Sequence, residues 1–286
     1  MFVIIGYVVV LGAVLGGFIL AGGHVHSLLQ PTELLTIFGS AVGTFLVANP
    51  PRVVKATLAA LPQVLKGSHF SKALYMDLLA MLFEILAKVR KEGLMSIEGD
   101  VDNPDSSPIF GKYPAIVGDH HAMEFLTDYL RMMVGGNLNA FEIENLMDIE
   151  IETHHQEAHQ PAHIMSKLAD ALPAFGIVVA VMGVVNVMGS VGEPPAVLGR
   201  MIGGALVGTF LGILISYGFV SPIATQLEQK AEEGGRIYSV IKAVLLASMN
   251  GYAPQVAVEF GRKVLLSTDR PTFLELEADI KARKGK

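Results

Sequence analysis

The apolar residues of this chain gather into four long runs. Phe2–Leu20 contains no charged residue, and Leu34–Ala48 is equally free of charge. Ala171–Ser190 forms the third run and Met201–Val220 the fourth. A helix needs about 20 apolar residues to cross the hydrocarbon core of a bilayer. The first, third and fourth runs meet that length. The second must use Thr32–Pro50 in full or tilt little. The pattern predicts an all-α integral membrane protein with four transmembrane helices. No Lys or Arg precedes the first run, and its apolar stretch is longer than the core of a signal peptide, so it reads as a retained helix.

Between and after the runs the pattern changes to helical amphipathicity. Leu74, Leu78, Leu82, Ile85 and Val89 fall three and four apart within Ser71–Glu92, which predicts a helix with one apolar face. Gly93 supplies its C-cap. Val101–Pro114 is rich in turn residues, and His121–Val134 and Asn139–Gln156 read as two further helices separated by Gly135-Gly-Asn. Pro222–Met249 continues the fourth membrane helix. Gly251-Tyr-Ala-Pro breaks it, and a short helix of mixed charge ends the chain. In chain order this gives membrane helices 1 and 2 in 1–50, a large helical insertion in 51–169, membrane helices 3 and 4 in 170–222, and a helical tail in 223–286.

Charge orients these segments. Pro51–Lys167 holds ten basic residues and Gln226–Lys286 ten more, whereas Ala21–Pro31 holds none and Val191–Arg200 only Arg200. Basic loops stay in the cytoplasm. The insertion and the tail are therefore expected inside, with both termini, and the two short links outside. The net charge of −6 excludes bulk attraction to nucleic acid, and the absence of cysteine excludes disulfide or thiol chemistry.

The sequence offers little for catalysis: no phosphate-binding loop, nucleophile elbow or zinc-protease pair is present. His155, His159 and His163 stand at i, i+4 and i+8. Such spacing can place imidazoles around a metal, but Pro161 falls inside the triplet and is expected to disturb the helix. The plainer reading is a polar helix near the membrane. Small residues form packing stripes: Gly12 and Gly16, Gly39 and Gly43, Gly176 with Ala180 and Gly183, and Gly204, Gly208 and Gly212. They let helix backbones approach closely in lipid, both within the chain and against neighbouring copies. No acid or base sits at the centre of any span. The polar residues there are Ser40, Thr44, Asn186, Ser190, Thr209, Ser216 and Tyr217, with Asp170 at the entrance of the third helix. Proton relays use Asp, Glu or His at such depths. Two options remain open: a non-conducting scaffold, or the wall of a channel whose titrating carboxylate belongs to another chain.

Over essentially its full length the sequence resembles the MotA family of flagellar stator subunits. The resemblance rests on Met1–Gly23, on Tyr75-Met-Asp-Leu-Leu-Ala-Met-Leu leading to Val89-Arg90 and Glu98, and on Leu172-Pro-Ala-Phe-Gly-Ile-Val-Val-Ala-Val-Met-Gly. Further motifs are Val207-Gly-Thr-Phe-Leu-Gly-Ile-Leu-Ile-Ser-Tyr-Gly-Phe-Val-Ser-Pro, Gly251-Tyr-Ala-Pro-Gln-Val-Ala-Val-Glu-Phe-Gly-Arg-Lys and Arg270-Pro-Thr-Phe-Leu-Glu-Leu-Glu. The resemblance implies a pentameric ring in the bacterial inner membrane around a dimer of a MotB-like partner. That partner supplies the ion-binding Asp. Ion flow past it drives the cytoplasmic segment against the rotor protein FliG. The family's rotor-contacting charges match Arg90 and Glu98, and its two functional prolines match Pro173 and Pro222. Ala180, Thr209 and Tyr217 are implied to line the ion path. Sodium-driven relatives place a threonine where Ala180 stands, so the transported ion is expected to be H+. No cofactor or metal is implied. The alternatives are a sodium-driven stator and a TolQ- or ExbB-like subunit energising an outer-membrane process.

Overall fold

The structure is a computed structural model and describes residues 2–67, 69–136 and 138–284. Met1, Ser68, Asn137 and the terminal Gly285 and Lys286 lie outside the described residues, and with them the ends of two segments named above. The described chain is helical, without a strand among the described residues. It divides into two compact units, Met1–Gly67 with Ala158–Lys230, and Ser68–Glu157 with Ala231–Lys286.

The first unit holds the apolar runs. Helix α1 spans Phe2–Leu20 and α2 spans Pro31–Ala48, joined through a 3-10 turn at Val25–Leu28. Pro31 occupies the first helical position of α2, where its missing N–H costs nothing. Helix α3 (Pro51–Ala60) follows at once. Among the described residues, four segments are long and apolar enough to cross a membrane: Phe2–Leu20, Val25–Ala48, and parts of the helices beginning at Ala140 and Pro195.

Burial within this unit is sparse. Helix α1 buries no residue at all. Ile37, Ala41, Leu172 and Val179 form a small core, while Phe2, Leu20, Val47, Val185 and Leu206 stand exposed. A helix face this apolar and this open is solvated by lipid or by neighbouring helices, not by water.

The second unit is built around a large buried apolar core. After α4 (Lys72–Glu92) come the short helices α5 (Glu98–Asp102) and α6 (Pro114–Val117), then α7 (His120–Gly135). The Ser71 hydroxyl accepts the Leu74 N–H at 3.3 Å to cap α4, and Gly93, at φ 88°, ends it. Helix α4 is more deeply buried than one apolar face requires. Besides Leu74, Leu78, Leu82 and Ile85 it buries Tyr75, Leu79, Met81, Phe83 and Leu86, because two helices of the tail, Pro254–Val264 and Phe273–Lys284, pack along it.

Two long helices run from one unit into the other. Helix α8 (Ala140–Met188) is continuous over 49 residues and contains both Pro161 and Pro173. The expected interruption at Pro161 does not occur. A proline removes one N–H donor and bends a helix, and packing on either side can outweigh that cost of about 3 kcal/mol. Here Ala162 and Met165, directly after Pro161, are buried. Helix α9 (Pro195–Ile215) passes through a π-helical turn at Ser216–Val220 into α10 (Ser221–Met249).

After Gly251, at φ 85°, the chain forms α11 (Pro254–Val264) and α12 (Phe273–Lys284). The sequence pattern indicated only one helix in this tail. Helix α11 is the addition, and its Ala257, Val258 and Gly261 are buried. The insertion and the tail, separate in sequence order, thus share one core in space: Leu78, Phe83, Leu126 and Tyr129 lie in the same cluster as Val244, Val258 and Leu276.

Candidate functional site

The transmembrane seam is built from glycine. A Cβ placed on Gly176 of α8 would stand 2.8 Å from the Gly208 carbonyl oxygen and 3.2 Å from the Gly212 Cα of α9. One placed on Gly212 would stand 2.8 Å from the Leu172 carbonyl oxygen. A Cβ on Gly183 would meet the Cβ and Cα of Ala205, and one on Gly208 would meet the Val179 side chain. Two backbones therefore touch along three helical turns, as small-residue stripes allow in lipid. Gly12 and Gly16 of α1 and Gly39 and Gly43 of α2 have open space where a side chain would be.

Three of the residues expected at the ion path belong to this seam. Thr209 is half-buried and its hydroxyl donates a long 3.5 Å bond to the Gly176 carbonyl. Ala180 is half-buried one turn beyond Gly176 on the same helix face. Pro173 lies one turn before it, also half-buried. Tyr217 and Pro222 sit apart from this trio, on the π-helical turn and in the first turn of α10, and both are exposed.

Ser216 was absent from the expected site, and it ties these parts together. Without an N–H, Pro173 cannot bond the carbonyl four residues back, which is Ala169. The Ser216 hydroxyl, fully buried, donates to that carbonyl at 2.6 Å. Ser216 also opens the π-helical turn, its own carbonyl accepting the Ser221 N–H. The turn is further held by the Tyr7 hydroxyl, which donates to the Phe219 carbonyl at 3.0 Å. Single π-turns inside α-helices mark functional positions more often than chance. Ser216→Ala should leave the Ala169 carbonyl unpaired, at a cost of about 1–3 kcal/mol. The expected result is a lower melting temperature of the purified protein. Unchanged melting would show the tie to be dispensable.

The second cluster of expected residues lies in the second unit. Arg90 is exposed in the last turn of α4, and Glu98 is exposed at the start of α5. Neither forms an ion pair among the described residues. Their surroundings are fixed by a buried knot: Lys88 Nζ meets Asp100 Oδ2 at 2.7 Å, and the Ser107 hydroxyl donates to Asp100 Oδ1 at 2.6 Å. Asp100 is only 6% exposed. An exposed lysine–aspartate pair contributes little, but a buried, doubly bonded carboxylate sets the position of a short helix.

His155 and His159 keep their one-turn spacing on α8, and His163 stands apart from them. Although α8 is continuous, His163 is exposed and borders a cleft with Thr44, Asn49 and Lys167. His154 instead stacks on Tyr238, with its Nε2 3.1 Å from the phenol oxygen. Burial, aided by the charge of His121, lowers the proton affinity of His154, as expected of a packed histidine.

Comparison with known proteins resolves what such a seam belongs to. Residues 4–93 match the family model for the motility protein A N-terminal region, and residues 118–238 match that of the MotA/TolQ/ExbB proton channel family. Motility protein A of Escherichia coli (strain K12) is 51% identical over 285 residues, covering 100% of this chain and 97% of that protein. The chain belongs to the motility protein A (MotA) family. Two solved structures share its fold. C. jejuni MotAB aligns with a TM-score of 0.76 at 22% identity, over 94% of this chain and 98% of that one. The flagellar MotAB stator complex from Bacillus subtilis aligns with a TM-score of 0.72 at 24% identity, over 98% of each. MotA membership makes the four spans those of a membrane protein in a proton channel family, a role outside enzymology.

Proposed function

We propose that this MotA chain walls, but does not complete, a proton path in the bacterial inner membrane, and that proton flow there produces torque on the flagellar rotor. The observation that supports this reading is the uncharged centre of every span. A proton path needs a titrating group at that depth. A MotB-like partner supplies it as an aspartate, in keeping with the MotAB complexes that share the fold. The unoccupied faces at Gly12, Gly16, Gly39 and Gly43 suit close contact with the partner helix or with neighbouring copies, in the family's arrangement of five chains around a partner dimer.

Ala180 and Thr209 line the path, with Tyr217 at its inner end. Pro173 and Pro222 lie on either side of the Ser216 tie and transmit a change at the path to α10. Arg90 and Glu98, unpaired by their own unit, meet charges on the rotor protein FliG. The insertion and tail, which hold all the Lys and Arg but Arg200, lie in the cytoplasm with both termini, as that distribution supports. Restored swimming of a stator-deleted host, with the cognate partner supplied, tests the function as a whole. Failure to swim despite a correctly assembled complex would overturn it.

Ion choice follows from ligand chemistry. Sodium needs several oxygen ligands, and Ala180 offers none. Swimming driven only by this stator should therefore keep its speed at fixed pH when sodium is removed. Speed that tracks sodium would reject proton coupling. Ala180→Thr is the variant expected to bring sodium dependence closer.

A further inference from the structure

Glu33 has no part in the site described above. It lies in the first turn of α2, where a glutamate ordinarily turns back to accept the helix's own unpaired N–H groups. This one does not. Its Oε2 is buried and has no hydrogen-bond partner among the described residues.

What faces it is the bare backbone of α9. A Cβ on Gly208 would lie 3.2 Å from Oε2, and one on Gly204 would lie 3.9 Å from Oε1. The carboxyl occupies space that two glycines leave open. The neighbouring amide of Gln30 donates to the Ser27 carbonyl at 3.3 Å. Other titratable or charged groups on the elements around it are His24 and His26, at the turn that packs on α9, and Arg200 at the start of α9. None of them hydrogen-bonds or ion-pairs with Glu33 among the described residues, and a buried carboxylate oxygen left so is unfavourable. A proton removes that penalty by cancelling the charge. Gly208 directly precedes Thr209, so the carboxyl stands one residue from the expected wall of the ion path.

We propose that Glu33 is a proton-binding site at the outer mouth of the path. The proposal rests on the proton-channel reading and on the outward placement of the link between α1 and α2. In the step envisaged, hydronium in the outer water gives its proton to Oε2 and leaves as water. The acid O–H bond then breaks as the next water inward takes the proton, and the carboxylate is restored. The residue is a station on the way to the partner's aspartate, not a replacement for it.

Proton influx through the complete complex tests this, with Glu33→Gln and Glu33→Asp compared at mildly acidic and mildly alkaline external pH. Glu33→Gln keeps the shape and removes the titration. Its flux should fall about tenfold at alkaline pH, a modest value for a positioned proton-transfer group, and less at acidic pH, where protons are abundant. Glu33→Asp should retain most of the flux. Unchanged flux in an assembled Glu33→Gln complex would overturn the proposal. So would equal loss in both variants at both pH values, accompanied by loss of partner co-purification, which would make Glu33 a packing residue. A wild-type complex that conducts no protons would overturn the channel reading itself, and the role of Glu33 with it.

Discussion

Gly176→Val should leave no functional stator and little folded protein in the membrane. A side chain there would strike the Gly208 carbonyl oxygen and the Gly212 Cα, both backbone atoms. Overpacking in a core costs about 1–3 kcal/mol when neighbouring side chains can yield. Backbone cannot yield without moving a whole helix, so the cost here exceeds that range. Gly212→Val should act alike through the Leu172 carbonyl oxygen. The consequence is specific to the seam, since Gly12→Ala in α1 meets nothing within 4 Å of its own chain. That variant should accumulate in the membrane normally, and any defect in it would report contact with another chain. Membrane fractionation and swimming assays distinguish the cases. Normal swimming of Gly176→Val would refute the backbone contact.

Arg90→Glu combined with Glu98→Lys should abolish most torque while membrane assembly stays intact. Both side chains are exposed and hold no ion pair within their own unit, so stability depends little on them. The knot of Lys88, Asp100 and Ser107 keeps the α5 segment in place in the double variant. Torque should fall because charges presented to a partner are reversed, and like-charge juxtaposition at an interface costs several kcal/mol. Loss of the protein from the membrane would instead show that these residues hold the fold. A compensating reversal on the rotor protein should restore part of the torque.

The contrast between the two units explains what could be read from sequence. The four spans were legible because lipid demands long uncharged runs, and Phe2–Leu20 can mean little else. The α4 helix was legible from its period and from Ser71 and Gly93, which cap it as their residue types predict. The unbroken course of α8 was not legible. Pro161 is locally unfavourable, and only the packing of Ala162 and Met165 reveals that the helix continues. Helix α11 was hidden because its buried residues, Pro254, Ala257, Val258, Gly261 and Arg262, include a single branched aliphatic side chain.

The site divides in the same way. Ala180, Thr209, Pro173, Pro222, Arg90 and Glu98 came through resemblance to MotA, not through any local chemical signal. Ser216 and Glu33 came from neither source. A serine in a membrane helix signals nothing until the carbonyl freed by Pro173 is found beside it. A glutamate in a first turn looks like a capping residue until its oxygen is found without a donor. In both residues the information lies in contacts between helices distant in sequence.

The central claim is that this stator subunit walls a proton path whose titrating group belongs to its partner. Proton influx into cells measures it most directly, for the chain alone, with a MotB-like partner, and with that partner's membrane aspartate changed to asparagine. Influx with the intact partner, and none above background in the other two, is the predicted result. Influx from the chain alone, or influx undiminished by the asparagine, would contradict the account.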